Sequence, residues 1–196
     1  MKIDLADLKS RQTHDLLTSA ISPLPIALIS TIGEDGVYNA APFSLVIPIS
    51  YKPPLVCVAI GAKGNEKKDT VVNIESTKDF VINIMGEEII KPAIRAAGNF
   101  PRNVDEMKEV GLTAVASDKV KSPRVEEARI SLECQLYREI ELGEGEDSRW
   151  IIFGEVVLVH FQEDVWVSGK IDHLALRAVG RLDNNAYCRT KDIFKL

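Results

Sequence analysis

From residue 63 to residue 70 the chain reads Lys-Gly-Asn-Glu-Lys-Lys-Asp-Thr, placing Lys63, Lys67 and Lys68 just ahead of a segment with helical patterning. A helix N-terminus offers unpaired N–H groups and the positive end of the helix dipole. Lysines and the Thr70 hydroxyl at such an entrance are the chemistry of a phosphate site. Asp69 would repel a phosphate that it faced, so its side chain is expected to turn inward, with Asp69 or Thr70 capping the helix. A solvated charged loop ahead of a capped helix has the same composition.

No nucleophile, dyad or metal motif accompanies this stretch. The sequence contains no G-x-G-x-x-G, P-loop, G-x-S-x-G or H-E-x-x-H pattern. His14, His160 and His173 are far apart, as are Cys57, Cys134 and Cys188, so neither a metal site nor a disulfide frame is implied. Chemistry, if present, is then carried by a bound cofactor. The stretch Asn39-Ala40-Ala41-Pro42-Phe43-Ser44 raises the same thought. In what reads as the middle of a sheet it sets small and polar side chains, and a proline without an N–H, where a core strand prefers Val, Ile or Phe.

The elements that must position these residues are mostly strands. Residues 4–20 have helical spacing of Leu5, Leu8, Leu16 and Leu17, ended by Ser22-Pro23. Strands are expected at 25–32 and 37–46, joined by a Gly-Glu-Asp-Gly turn, and at 54–61, an apolar run buried on both faces with Cys57 in the core. A helix over 69–77 and a strand over 79–85 follow, then helical patterns near 87–97 and 104–109. Residues 129–136 alternate strictly, predicting an antiparallel strand with one wet face. A long strand over 149–163 carries Gly154 as a bulge or close-approach point. Trp150 and Trp166 read as core or interface anchors. With no repeat and no composition break, residues 1–196 read as one domain, mainly β with flanking helices and closed or partly closed as an antiparallel barrel.

The overall balance is ordinary for a globular chain: 45% hydrophobic and 27% charged residues. Twenty-nine acidic against 24 basic residues give a net charge of −5, which argues against a nucleic-acid reader. No apolar run approaches the roughly 18 residues of a membrane span, and the amino terminus lacks a signal-peptide core, so a cytoplasmic location is expected.

The ordered array SPLPIALIST, GEDGVYNAAPFS, SYKPPLVCVAIG, KKDTVVNI and DFVINI resembles the flavin reductase-like family, flavoredoxin included. The likeness continues through VDEMKEVGLT, LECQL, FGEVVLVH and VGRLDNNAYCRTKDIF. It implies an FMN-binding split β-barrel, Greek-key-like, with FMN as cofactor and no catalytic side chain beyond those that hold it. By the family pattern Ala41, Pro42 and Ser44 line the flavin ring or its ribityl chain, with Ser30 and Thr31 on the neighbouring strand. Lys68 and Thr70 hold the phosphate beside Asp69, and Lys63 stands at a commonly basic position. Asn39 either joins the site or bonds its own backbone. His160 is placed near the flavin or bonds backbone at a strand end, and Arg181 reaches the site or forms a surface ion pair. Two departures stand out: Leu24 replaces a frequent arginine, and Ile47 a frequent asparagine.

The activity implied is hydride transfer from NADH or NADPH to flavin N5, with electrons passed onward. The alternatives are a flavoredoxin-type carrier reduced by a redox protein partner, and a flavin-binding protein without turnover. A homodimer is expected, its seam drawn from the amino-terminal helix, Trp150 or Trp166, Tyr187 and Phe194.

Overall fold

A computed structural model describes residues 1–195. A 3-10 turn (Leu5–Asp7) and helix α1 (Ser10–Ala20) precede β1 (Leu24–Pro25), β2 (Ala27–Ile32), β3 (Tyr38–Phe43), β4 (Val46–Tyr51) and β5 (Pro54–Gly61). Then come α2 (Asp69–Thr77), β6 (Asp79–Ile84), α3 (Ile90–Arg95) and α4 (Glu106–Val110). The short β7 (Ala114–Val115) and β8 (Arg124–Val125) lead into two long strands, β9 (Ile130–Leu142) and β10 (Arg149–Phe161). The carboxy-terminal part holds β11 (Trp166–Val167), β12 (Lys170–Ile171), α5 (His173–Leu176), β13 (Val179–Arg181) and β14 (Tyr187–Arg189).

Seven strands form one antiparallel sheet in the order β3-β2-β6-β9-β10-β5-β4. Its first and last strands, β3 and β4, are joined by Ser44-Leu45, and the Leu45 carbonyl accepts from Ala59 N–H of β5 at 3.0 Å. The sheet therefore curls back on itself at that corner. Its interior is filled by Ile29, Phe43, Val58, Ile60, Phe80, Ile82 and Ile152, with Val71 and Ile74 of α2 closing one end. A second core, with Leu28, Ala40, Met85, Ile89, Met107 and Val110, packs α3 and α4 on the outer face of β2 and β3. Alternation along β2 and β3 feeds both cores at once, which is why neither strand has a polar face.

Gly154 does both things expected of it. The β9–β10 register shifts at Phe153/Gly154, and a side chain there would collide with the Phe80 ring. Gly36, at φ +82°, supplies the left-handed residue of the β2–β3 turn.

Several expectations need correction. The amino-terminal helix breaks between Asp7 and Ser10. The strand expected over 25–32 divides at Ile26: β1 pairs with β13, and β2 with β3 and β6. In β5 only Val56, Val58 and Ile60 are buried; Cys57 is half-buried on the opposite face, outside the core. The polar face of β9 is wet only in part: Gln135 is exposed, but Ser131 and Glu133 are buried. Glu133 accepts the Asp118 and Lys119 N–H groups at 2.9 and 2.6 Å, so a loop covers this face. Trp150 is buried, and Trp166 is half exposed against Phe161. Among the described residues no helix is long and apolar enough to cross a membrane.

Candidate functional site

Strand β3 pairs with β2 alone and so forms an edge of the sheet, not its middle. The Ala40 N–H points off that edge and donates to Glu106 Oε2 at 2.8 Å. Two residues on, Pro42 takes the same outward position, where the missing N–H leaves nothing unpaired. That is the physical reason the strand tolerates a proline.

Facing this edge is the N-terminus of α2. Its N-cap is Lys68, and no side chain caps the helix, contrary to the role expected of Asp69 or Thr70. The Lys68 carbonyl takes the Val71 and Val72 N–H groups at 2.9 and 3.2 Å. Asp69 turns toward Arg102, at 3.8 Å, and the Thr70 hydroxyl meets the Asn39 amide. The Asp69 and Thr70 N–H groups are left without a partner among the described residues, an arrangement that attracts an anion.

The Lys68 amine strengthens this. Burial pushes its pKa below the ordinary lysine value, and the positive charges of Arg149 and Lys63 push the same way. Among the described residues no carboxylate offsets them; the Phe43 ring lies 5.4 Å from the amine. Opposite stand Ala96, Ala97, Gly98 and Asn99, which follow α3, and Glu106 at the start of α4. They close a cleft of about 110 Å³ with Asn39, Ala41, Pro42, Lys63, Lys68, Asp69 and Thr70. That space holds several waters or a small polar group.

The remaining expected residues lie elsewhere. Thr31 is fully buried behind Asn39 and accepts from Asn73 at 3.0 Å. Ser44 sits at the corner after β3, its hydroxyl accepting from Arg181 at 3.1 Å. Ser30 is not at the cleft. It points to the outer face of β2, donates to the Pro123 carbonyl at 2.5 Å and accepts from Asn83 at 2.9 Å. His160 is also absent from the cleft. Its Nε2 meets Glu133 at 2.5 Å and lies 3.8 Å from Asp118, holding the loop that covers β9.

Glu106 is the cleft residue that sequence reasoning missed. It is 8% exposed, and burial, with the Asp69 and Asp105 charges, pushes its carboxyl up to about 7 against the opposing pull of Ala40 N–H and Lys63. In the sequence it reads as an ordinary first-turn acid of α4, where Asp105 caps the helix through Lys108 N–H at 3.1 Å. Only the packing of α4 on β3 gives Glu106 its place.

The family model of the flavin reductase like domain matches residues 19–174. The chain belongs to the flavin reductase-like family. Its fold is the antiparallel split barrel of that family. Among similar proteins, the uncharacterized protein BH2278 of Halalkalibacterium halodurans is 34% identical, over 100% of this chain and 95% of its own. The crystal structure of nitrilotriacetate monooxygenase component B from Bacillus cereus superposes with a TM-score of 0.95 at 31% identity, covering 100% of this chain and 98% of that one. That of Pseudomonas fluorescens 2-nitrobenzoate 2-nitroreductase NbaA gives 0.86 at 32% identity, covering 100% and 95%.

In this flavin reductase-like protein the two departures, Leu24 and Ile47, fall together away from the Lys68 cleft. Both line an apolar groove of about 500 Å³, shared with Pro25, Pro48, Val56 and Val179. Beside it, Ile49 and Tyr51 of the other sheet edge, β4, are exposed.

Proposed function

We propose that this chain is an FMN-dependent oxidoreductase of the flavin reductase type, with the FMN phosphate received at the N-terminus of α2. The observation that carries the reading is Lys68, an amine largely withdrawn from water, beside other cations and beside free helix N–H groups. A dianion relieves all three conditions at once. The names of the two similar structures, a monooxygenase component and a nitroreductase, support an oxidoreductase.

Bound there, FMN would supply the redox chemistry, that of a hydride acceptor toward NADH or NADPH and an electron donor to a second acceptor. The chain's own residues bind and orient. Lys63, Lys68, the Thr70 hydroxyl and the first N–H groups of α2 meet the phosphate. Ala41 and Pro42 give a flat ring system a wall without bulk, and Ser44, held by Arg181, continues that edge. We also assign the apolar groove at Leu24 and Ile47 to a second copy of this chain, because two such faces bury one another across a two-fold axis.

Anaerobic mixing of the FMN-loaded protein with NADH and with NADPH, following flavin absorbance, tests the activity. Rapid bleaching by either nicotinamide is expected. Bleaching by dithionite alone would assign an electron carrier instead.

A further inference from the structure

Hydrogen bonds joining Thr70, Asn39 and Glu106 have a direction, and two directions fit the same atoms. In one, the Asn39 amide nitrogen donates to Glu106 Oε2 at 3.2 Å, and the amide oxygen accepts from Thr70 Oγ1 at 3.0 Å. The single Thr70 proton is then committed to Asn39. In the other, the amide nitrogen donates to Thr70 Oγ1 at 3.0 Å and the amide oxygen faces Glu106. This second arrangement frees the Thr70 proton for the cleft. It also sets two oxygens against each other unless Glu106 carries a proton and donates it. A hydrogen bond donated by Thr70 to an anion in front of it requires the second arrangement.

We propose that Glu106 is a positioning residue that, by taking a proton from solvent, turns the Asn39 amide and so presents the Thr70 hydroxyl as a donor to the phosphate. The inference rests on the reading of the cleft as the FMN phosphate site. Its surroundings make the uptake easy near neutrality. Burial, Asp69 of α2 and Asp105 beside it favour the protonated carboxyl, while Lys63 and the Ala40 N–H of β3 oppose it, leaving it at about 7. Asp35 of the β2–β3 turn and Arg102, paired with Asp69, line the small pocket on its other side. Below that pH the proton is already present and binding needs none. Above it, each FMN bound must bring a proton, and affinity falls by up to tenfold per pH unit.

The test is the FMN dissociation constant from pH 6 to 9 in the wild type and in Glu106→Gln, with proton uptake measured calorimetrically at pH 8 in two buffers of different ionisation enthalpy. Ala40 N–H and the Asn39 amide meet the same glutamate oxygen, Oε2, so the introduced amide keeps its oxygen there, accepts from both and holds the first arrangement at every pH. The variant, fixed in the first arrangement, is expected to bind FMN less tightly than the wild type at pH 6, to lose less affinity as the pH rises to 9, and to take up close to one proton fewer at pH 8. Any proton taken up at Lys68, whose pKa burial lowers, is common to both proteins and cancels in the comparison. Equal pH slopes and equal uptake would overturn the inference alone. A wild type that binds no FMN at any pH would overturn the phosphate reading and the inference with it. Infrared difference spectra of the wild type at pH 8 stand independent of how the variant folds. Gain of a protonated-carboxyl band on FMN binding is expected, and its absence overturns the proposal.

Discussion

Glu106, in the first turn of α4, ties that helix to the sheet by accepting the outward N–H of Ala40 on the edge strand β3, at 2.8 Å. One carboxylate thus closes the cleft and seals an edge that would otherwise offer an unpaired donor. Because its pKa in the folded chain lies above the ordinary glutamate value of 4.5, the ionised form costs stability. The unfolded chain releases the proton first, so the cost is absent below about pH 4.5 and grows as pH rises to about 7. Glu106→Gln is therefore expected to match the wild type at pH 4.5 and to exceed it at pH 8 by about 1–2 kcal/mol, after allowing for solvent screening. Urea denaturation at the two pH values checks it; a variant less stable at pH 8 would contradict it.

Gly154→Val tests the barrel itself. The added side chain would meet the Phe80 ring and Cys134 Cβ inside a filled core. A loss of about 1–3 kcal/mol in denaturant unfolding is expected, with the FMN site otherwise unaltered. An unchanged midpoint would show that β10 is not pressed against β6 and β9 as described.

Ala41→Leu should block the cleft by bulk. Ala41 lines it while packing against the barrel core. The expected outcome is FMN affinity down by tenfold or more, with far-ultraviolet circular dichroism unchanged. Normal affinity would place the site elsewhere.

Assembly is read by sedimentation. With the groove at Leu24, Ile47 and Val56 covered by a second copy, the mass at micromolar concentration should be about twice 21.7 kDa. Ile47→Asp is expected to shift it toward the single chain. A wild type that sediments as a single chain while saturated with FMN would contradict the dimer.

Strands, the β2–β3 turn, the start of α2 and the lysines ahead of it were legible because each rests on local chemistry: apolar alternation, Asp-Gly, charge before a helix. Gly154 was legible because a glycine inside a strand has few other uses. What escaped depends on the fold. Ser131 and Glu133 alternate like a wet face, yet an irregular loop, itself without periodicity, folds over them. Pro42 read as mid-sheet because strand order is not a local property. Ser30 shares β2 with Thr31 but faces the polar network at Asn83, and His160, alone of the expected residues on β10, faces Glu133. Glu106 carries no motif, and its role comes from α4 packing on β3.

Whether the N-terminus of α2 holds the phosphate of FMN is decided by affinity measured with and without that phosphate. Fluorescence titration of the apoprotein with FMN and with riboflavin, in the wild type and in a Lys68→Ala, Thr70→Ala double variant, is the measurement. The wild type is expected to prefer FMN strongly. The double variant should lose about 2–4 kcal/mol of FMN binding, roughly 30- to 1,000-fold, while its weak riboflavin binding stays as it was. Equal affinity of the wild type for FMN and riboflavin, or an unchanged FMN constant in the double variant, would contradict the phosphate site.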